Sequence, residues 1–310
     1  MLRSLPDGVW PTMLTPFRPD GGIDLDALES LTAWYIDHGA AGLFAVCQSS
    51  EMFFLSLEEK IKLARATVKA AAGRVPVICS GHTADNDEQQ IEELRRMAET
   101  GVDVLVLVTN RLVGPQDGDE LLIENIDRIL DALPPQTSFG LYECPYPFKR
   151  LLSSKVLRHC ADDGRFVCLK DTCCSESRIR ERLQLLSGSP LKLYNANAAT
   201  LLQSLRDGAA GYCGVMANFF PDAYRDLTES ARSNPARSQL LQNWMGPLSL
   251  LEKGGYPLNA KLYLQKAGVI PDAFTRSLGT GRLETYLQRI LEQAARLVES
   301  IPSYSKEDSL

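Results

Sequence analysis

Eight times between residues 9 and 215, a short apolar run gives way to a stretch whose apolar residues recur every three to four positions. The runs are 9–15, 42–46, 75–80, 102–108, 138–142, 166–169, 191–194 and 211–215, all of strand length. The spacing of the stretches between them is that of amphipathic helices, as with Leu25, Leu28, Leu31 and Trp34/Tyr35 in 24–37. Asp24 caps that helix, Ser56 with Glu59 forms a capping box for the next, and Asp85 or Asp87 opens the third. Further helices are read at 119–133, 153–160, 176–186, 197–206 and from Pro221 onward. Strands alternating with helices predict a parallel sheet. Eight units in one run favour a closed (β/α)8 TIM barrel over an open sheet. No Gly-x-Gly-x-x-Gly follows the first run, which argues against a dinucleotide-binding sheet.

The barrel is read as residues 1–230, and 231–310 as a C-terminal helical extension packed on it. That extension contains amphipathic stretches at 238–251, 257–267 and 281–300. The last carries Leu283, Tyr286, Leu287, Ile290 and Leu291 at helical spacing, a face that covers the barrel or forms an oligomer contact. The tail, 302–310, is polar and reads as frayed. A chain of 310 residues has room for two domains, yet α/β barrels of this size are commonly one.

Charge and cysteine usage narrow the partners. The net charge is −6, from 33 basic and 39 acidic residues, with no basic run, so nucleic acid is excluded as a partner. No apolar stretch approaches the roughly 18 residues of a membrane span. The first ten residues carry Arg3 but no apolar core, which argues against a signal peptide. Most of the 8 cysteines sit in or just after apolar runs, where a thiol behaves as a small hydrophobe. With no Cys-x-x-Cys pair and only three histidines (His38, His82, His159), no metal site is expected. The cysteine pattern predicts a reducing cytoplasm.

In such a barrel the chemistry lies at the carboxyl ends of the strands. The sixth run, Phe166-Val-Cys-Leu169, ends on Lys170. An ammonium there loses hydration, and burial favours the neutral amine that attacks a ketone. The competing reading is a lysine whose stem lies along apolar surface while its charge reaches solvent. Tyr142 closes the neighbouring fifth strand, so its phenol meets Lys170 inside the mouth and shuttles protons. The second strand delivers Cys47-Gln48-Ser49-Ser50-Glu51, whose hydroxyls and backbone N–H groups suit a carboxylate; a plain strand-to-helix turn also uses serine. The fourth delivers Thr109-Asn110-Arg111 and the eighth Cys213-Gly214.

Taken in order, these pieces resemble the dihydrodipicolinate synthase / N-acetylneuraminate lyase family of class I aldolases over nearly the whole chain. The family's Gly-[Ser/Thr]-Thr-Gly-Glu loop corresponds to Cys47-Gln48-Ser49-Ser50-Glu51, and its Tyr-Asn-x-Pro to Tyr142-Glu143-Cys144-Pro145. Its Gly-x-Lys corresponds to Cys168-Leu169-Lys170, and its glycine-rich eighth strand to 211–218. The resemblance implies that Lys170 forms an imine with pyruvate or another 2-oxo acid, with no separate cofactor, and that Tyr142 relays protons. It implies that Ser49 and Ser50 hold the substrate carboxylate with Gln48 beside them, that the Cys213 carbonyl lines the pocket, and that the protein is a homo-oligomer, tetramer or dimer.

Four departures separate the chain from the best-known members. Gln48 stands where a hydroxyl is usual, Leu112 where the synthase carries a partner tyrosine, and Pro147 where it carries an arginine. Ala198 and Ala199 stand where the sialic acid lyases carry an acidic pair. The expected function is therefore a lyase or aldolase on a 2-oxo acid, or a dehydratase using the same intermediate. Competing readings are 4-hydroxy-tetrahydrodipicolinate synthase, a barrel that binds a small acid without turnover, and a metal aldolase using His82 with Glu51 or Asp171. At the far end of the substrate, Arg111 and His82 are read as donors around the mouth, Arg111 pairing an anion unless it points to the surface.

Overall fold

The computed structural model describes residues 4–279 and 281–301, so the polar tail at 302–310 lies outside the described residues. Eight parallel strands lie in the order β1-β8-β7-β6-β5-β4-β3-β2. They are β1 (Gly8–Val9), β2 (Leu43–Ala45), β3 (Val77–Cys79), β4 (Val104–Val108), β5 (Phe139–Tyr142), β6 (Phe166–Asp171), β7 (Lys192–Asn195) and β8 (Gly211–Tyr212). Parallel bridges Val9↔Ala40 and Thr12↔Phe44 join the first strand region to the second and close the barrel. The first apolar run pairs over a shorter length than its hydrophobicity predicts because Pro11 has no N–H to give to a ladder.

The helices α1 (Leu25–Asp37), α2 (Leu57–Ala71), α3 (Asp87–Ala98), α4 (Asp119–Ala132), α5 (Ser154–Asp163), α6 (Glu176–Leu185), α7 (Leu201–Asp207) and α8 (Pro221–Ser233) follow the strands in turn. Asp24 caps α1, and the Ser56/Glu59 box caps α2. The third helix is capped by neither aspartate but by Asn86, whose side chain accepts the Gln89 N–H at 2.8 Å. After the barrel come α9 (Pro235–Leu248), α10 (Leu258–Lys266) and α11 (Thr285–Glu299). Proline opens both α8 and α9, at the helix position where its missing N–H costs nothing.

Below the mouth, Trp10, Phe44, Ile78, Val106, Cys168 and Tyr194 fill the interior and leave only about 10 Å³, so the barrel is a packed core rather than a pore. Closure needs glycine at one point. A Cβ on Gly211 would stand 1.9 Å from the carbonyl oxygen of Gly8, so any larger residue would part β1 from β8. The result is a closed cylinder with a filled interior.

Candidate active site

The free volume is a cavity of about 630 Å³ at the carboxyl ends of the strands, where a (β/α)8 barrel keeps its chemistry. Lys170 and Tyr142 meet in it because β5 and β6 pair in register, Tyr142 opposite Lys170. The Lys170 ammonium lies 4.1 Å from the Tyr142 ring centroid and 5.4 Å from that of Phe44. Both side chains are buried. Side chains alternate across a strand, so the residues that follow each of them face outward. Glu143 and Asp171 are fully buried on that outer side, where one guanidinium from α6, Arg182, grips both.

That clamp is satisfied all round. Arg182 donates to Glu143 Oε1 at 2.6 Å, to Glu143 Oε2 at 3.1 Å, to Asp171 Oδ2 and to the Leu152 carbonyl. The carboxylates also accept backbone N–H groups from Leu152, Thr172 and Cys173. Asp171, which the metal-aldolase reading needs as a ligand, and Glu143 are both consumed in fixing the two strand ends. Glu51 is likewise committed, in a buried pair with Lys261 of α10 at 2.6 Å.

The turn after β2 is bracketed by two non-glycine residues in the left-handed region, Val46 (φ 47°) and Glu51 (φ 59°). A β-branched residue there is strained, and such strain marks a chain held for a purpose. Between them, Gln48–Ser50 forms one 3₁₀ turn. Ser49 lines the cavity and donates to Thr12 Oγ1 at 3.0 Å. Ser50 does not line it: its hydroxyl donates to the Met13 carbonyl at 2.6 Å and accepts the Cys47 N–H at 3.1 Å. Gln48 Oε1 faces both the Tyr142 hydroxyl and the Cys144 thiol, each at 3.4 Å. Burial first, and then the nearby Cys144 and Cys47, push the Tyr142 phenol well above its usual ionisation range, so it stays protonated.

Two further expectations are corrected. Arg111 is absent from the cavity wall, because β4 passes into a 3₁₀ turn over Thr109–Arg111 that carries the side chain outward. Its guanidinium donates to the Thr83 and Ala84 carbonyls and to Asp85, and it lines a separate cavity with Asn110, Asp117 and Asn125. Cys213 shares the packed interior with Lys170, its N–H donates to the Asn195 carbonyl, and the next residue, Gly214, lines the cavity. His82 is a buried structural residue: its Nε2 accepts the Val108 N–H at 2.7 Å and its Nδ1 meets Gln90 Oε1 at 2.9 Å. Among the described residues, no three His, Cys, Asp or Glu side chains form a group suited to a metal ion.

The wall residues from beyond the barrel have no counterpart among the sequence-derived candidates. Lys149 follows β5, Asn197 follows β7, and Lys253, Tyr256, Ser277 and Leu278 come from beyond the barrel. No ion pair is seen for Lys149 or Lys253 among the described residues. Strand-end counting points to Asn197, but no periodicity ties a residue of the C-terminal segment to a lysine more than 80 positions earlier in the chain.

With this geometry in place, comparison with known proteins is informative. The dihydrodipicolinate synthetase family profile matches residues 5–292, and the chain belongs to that family. Among similar proteins is the 4-hydroxy-tetrahydrodipicolinate synthase of Nitrosococcus oceani, 29% identical over 294 residues, covering 93% of this chain and 97% of that protein. The fold matches a dihydrodipicolinate synthase from Bacillus anthracis with a TM-score of 0.86 at 21% identity, covering 97% of this chain and 100% of the other. It also matches the chloride-inhibited dihydrodipicolinate synthase from Acinetobacter baumannii, complexed with pyruvate, with a TM-score of 0.85 at 24% identity, covering 96% and 100%.

The His82 environment sets an acid limit on stability. Burial lowers its pKa from 6.5 to about 4, against a smaller opposing effect of the Gln90 hydrogen bond. Between those values the unfolded chain binds a proton that the folded chain refuses, so stability falls as pH falls from 6.5 towards 4. Across that window the loss is on the order of 3 kcal/mol. Urea titrations of the wild type and His82→Gln from pH 7.5 to 4 are expected to show a flatter acid limb for the variant. Equal slopes in the two proteins would refute this role for His82.

Proposed function

We propose that this protein is a Schiff-base-forming lyase or aldolase acting on pyruvate or another 2-oxo acid, with Lys170 as the imine-forming residue and Tyr142 as the proton carrier. The observation that carries the reading is the pairing of Lys170 with Tyr142 at the closed end of the cavity, each buried and held from behind by Arg182. In this scheme the Lys170 amine adds to C2 of the 2-oxo acid. The Tyr142 O–H protonates the departing hydroxyl, water leaves, and the protonated imine remains beside the Tyr142 phenolate. The iminium then accepts the electron pair of the C3–C4 bond during cleavage and becomes an enamine; in condensation the enamine, formed when C3 loses a proton to the Tyr142 phenolate, gives that pair to an aldehyde. Loss of a hydroxyl from the same intermediate gives the dehydratase outcome. No separate cofactor enters the scheme.

Gln48 shapes the proton traffic. Its amide oxygen accepts the Tyr142 O–H but has no proton to pass on, unlike the hydroxyl that family resemblance leads one to expect. Tyr142 therefore exchanges protons with the substrate inside the cavity: the phenolate left by imine formation takes the C4 hydroxyl proton during cleavage, and the restored phenol then gives a proton to C3. The alternative, 4-hydroxy-tetrahydrodipicolinate synthase activity, draws support from the names of the relatives. It is weakened by Leu112, a buried aliphatic residue with no proton to relay, and by Pro147. The proposal extends to a reducing cytoplasm and to a homotetramer or dimer. The exposed Leu250, Tyr286, Ile290 and Leu297 of the C-terminal segment give such an assembly apolar surface to cover.

Incubation with pyruvate and borohydride is expected to add one pyruvate-derived mass, mapped by peptide analysis to Lys170 and abolished in Lys170→Ala. Tyr142→Phe should lower kcat by ~10²–10⁴-fold with little change in substrate binding. An adduct that persists in Lys170→Ala, or near-normal turnover in Tyr142→Phe, would overturn these roles.

The wall also favours a short substrate. Ala196 lines the cavity on the β7 side, and Ala198 is buried, so that side offers no carboxylate to a polyol. An unpaired buried hydroxyl costs ~1–3 kcal/mol. Measured kcat/KM should therefore be far lower for N-acetylneuraminate than for a small 4-hydroxy-2-oxo acid. Because Arg111 faces away, Arg111→Ala should leave that ratio unchanged. Efficient cleavage of the sialic acid would show that the polar deficit does not govern the choice.

A further inference from the structure

One wall of the cavity is not supplied by the barrel. Tyr256 enters from the segment between α9 and α10 and lines the same space as Lys170, Tyr142 and Ser49. Its phenol oxygen accepts an N–H from Asn218 Nδ2 at 2.9 Å and stands near the Ser49 and Thr12 side chains, which oppose the rise in its pKa caused by burial. Ser49 Oγ in turn donates to Thr12 Oγ1 at 3.0 Å. Asn218 is fixed in orientation: its Oδ1 accepts the Tyr35 O–H at 2.5 Å, and its amide also faces the carbonyls of Thr12 and Val215. With that amide on the acceptor side of the phenol, the Tyr256 proton is left to turn towards the cavity that Tyr256 and Ser49 both line.

Ser49 and Thr12 are hydrogen-bond partners, Ser49 and Tyr256 both face the cavity, and a hydroxyl proton has more than one direction open to it. Each proton turns readily towards a stronger acceptor, and a carboxylate oxygen is stronger than a neutral hydroxyl. The two sides of this corner are also tied together. Glu51, which ends the Ser49 turn, pairs with Lys261 of α10 and accepts the Ser277 N–H at 2.7 Å. The segment bearing Tyr256 and the turn bearing Ser49 are thus pinned together by a buried ion pair.

We propose that Tyr256 is a substrate-binding residue which, with Ser49, donates to the carboxylate of the 2-oxo acid. The proposal rests on the reading above for the identity of the ligand but not for imine formation, because the carboxylate is held with or without the covalent step. The C-terminal segment thereby selects substrates with a carboxylate next to the reacting carbon.

The test is calorimetric titration of the wild type, Tyr256→Phe and Ser49→Ala with pyruvate and with lactate, which keeps the carboxylate but has no ketone. Tyr256→Phe is expected to weaken both acids about 10- to 100-fold, the value of one hydrogen bond to a charged group. Ser49→Ala should move both in the same direction. Borohydride trapping of hydroxyacetone, a ketone without a carboxylate, should be unchanged in Tyr256→Phe, which separates lost recognition from a loosened fold. Unchanged affinity for both acids, weakening of pyruvate alone, equal loss with hydroxyacetone, or no binding of either acid to the wild type would overturn the assignment. If trapping on Lys170 fails while Tyr256→Phe still weakens lactate, the imine reading falls and the role of Tyr256 stands.

Discussion

Arg182 holds the ends of β5 and β6 at a fixed separation, and the site depends on that restraint. Strand alternation sends Tyr142 and Lys170 inward and Glu143 and Asp171 outward, so a guanidinium gripping the two acids also sets the spacing of the two residues on the other face. The cluster buries two negative charges against one positive charge. The Leu152, Thr172 and Cys173 N–H groups supply the remaining compensation. A buried ion cluster of this kind is weak evidence for stability, since desolvation offsets much of the attraction. Its contribution is geometric. A reaction needing an amine and a phenol on the same carbon gains most from having both already in place.

The opposite wall is restrained by the same physics acting over a longer span of chain. Lys261 and Glu51, 210 positions apart, form a buried pair, and Arg276 reaches Glu59 at the start of α2 while also donating to the Gly21 and Phe54 carbonyls. These contacts seat the C-terminal segment on the mouth of the barrel. They explain how a strained turn at Val46 is held, and why a residue outside the eight β/α units forms part of the cavity. The segment is a structural part of the site rather than a cover added to it.

How far this was legible in the sequence follows from the range of each signal. A period of two along a strand and of 3.6 along a helix is local, so the barrel and the adjacency of Lys170 and Tyr142 could be read directly. The Ser56/Glu59 box is equally local and stands as expected. The reading failed where a period was carried past the last ladder residue. After β4 the chain turns through Thr109–Arg111, and after β2 through Gln48–Ser50, so Arg111 and Ser50 take directions that strand counting does not give. His82 was misplaced because burial and two hydrogen-bond partners, Gln90 and Val108, depend on tertiary packing. Tyr256 and the Lys261–Glu51 pair carry no local signal, since only the folded chain brings them to the turn after β2.

The central claim is that the carbonyl carbon of a 2-oxo acid is bound between Lys170, Tyr142 and the Ser49–Tyr256 hydroxyls. The most direct measurement is a crystal structure of the protein reduced with borohydride in the presence of pyruvate. The account predicts continuous density from Lys170 Nζ to C2, the Tyr142 hydroxyl beside that carbon, and the carboxylate against Ser49 and Tyr256. An adduct on Lys149 or Lys253, the other lysines of the cavity wall, or a carboxylate lying away from Ser49 and Tyr256, would contradict it.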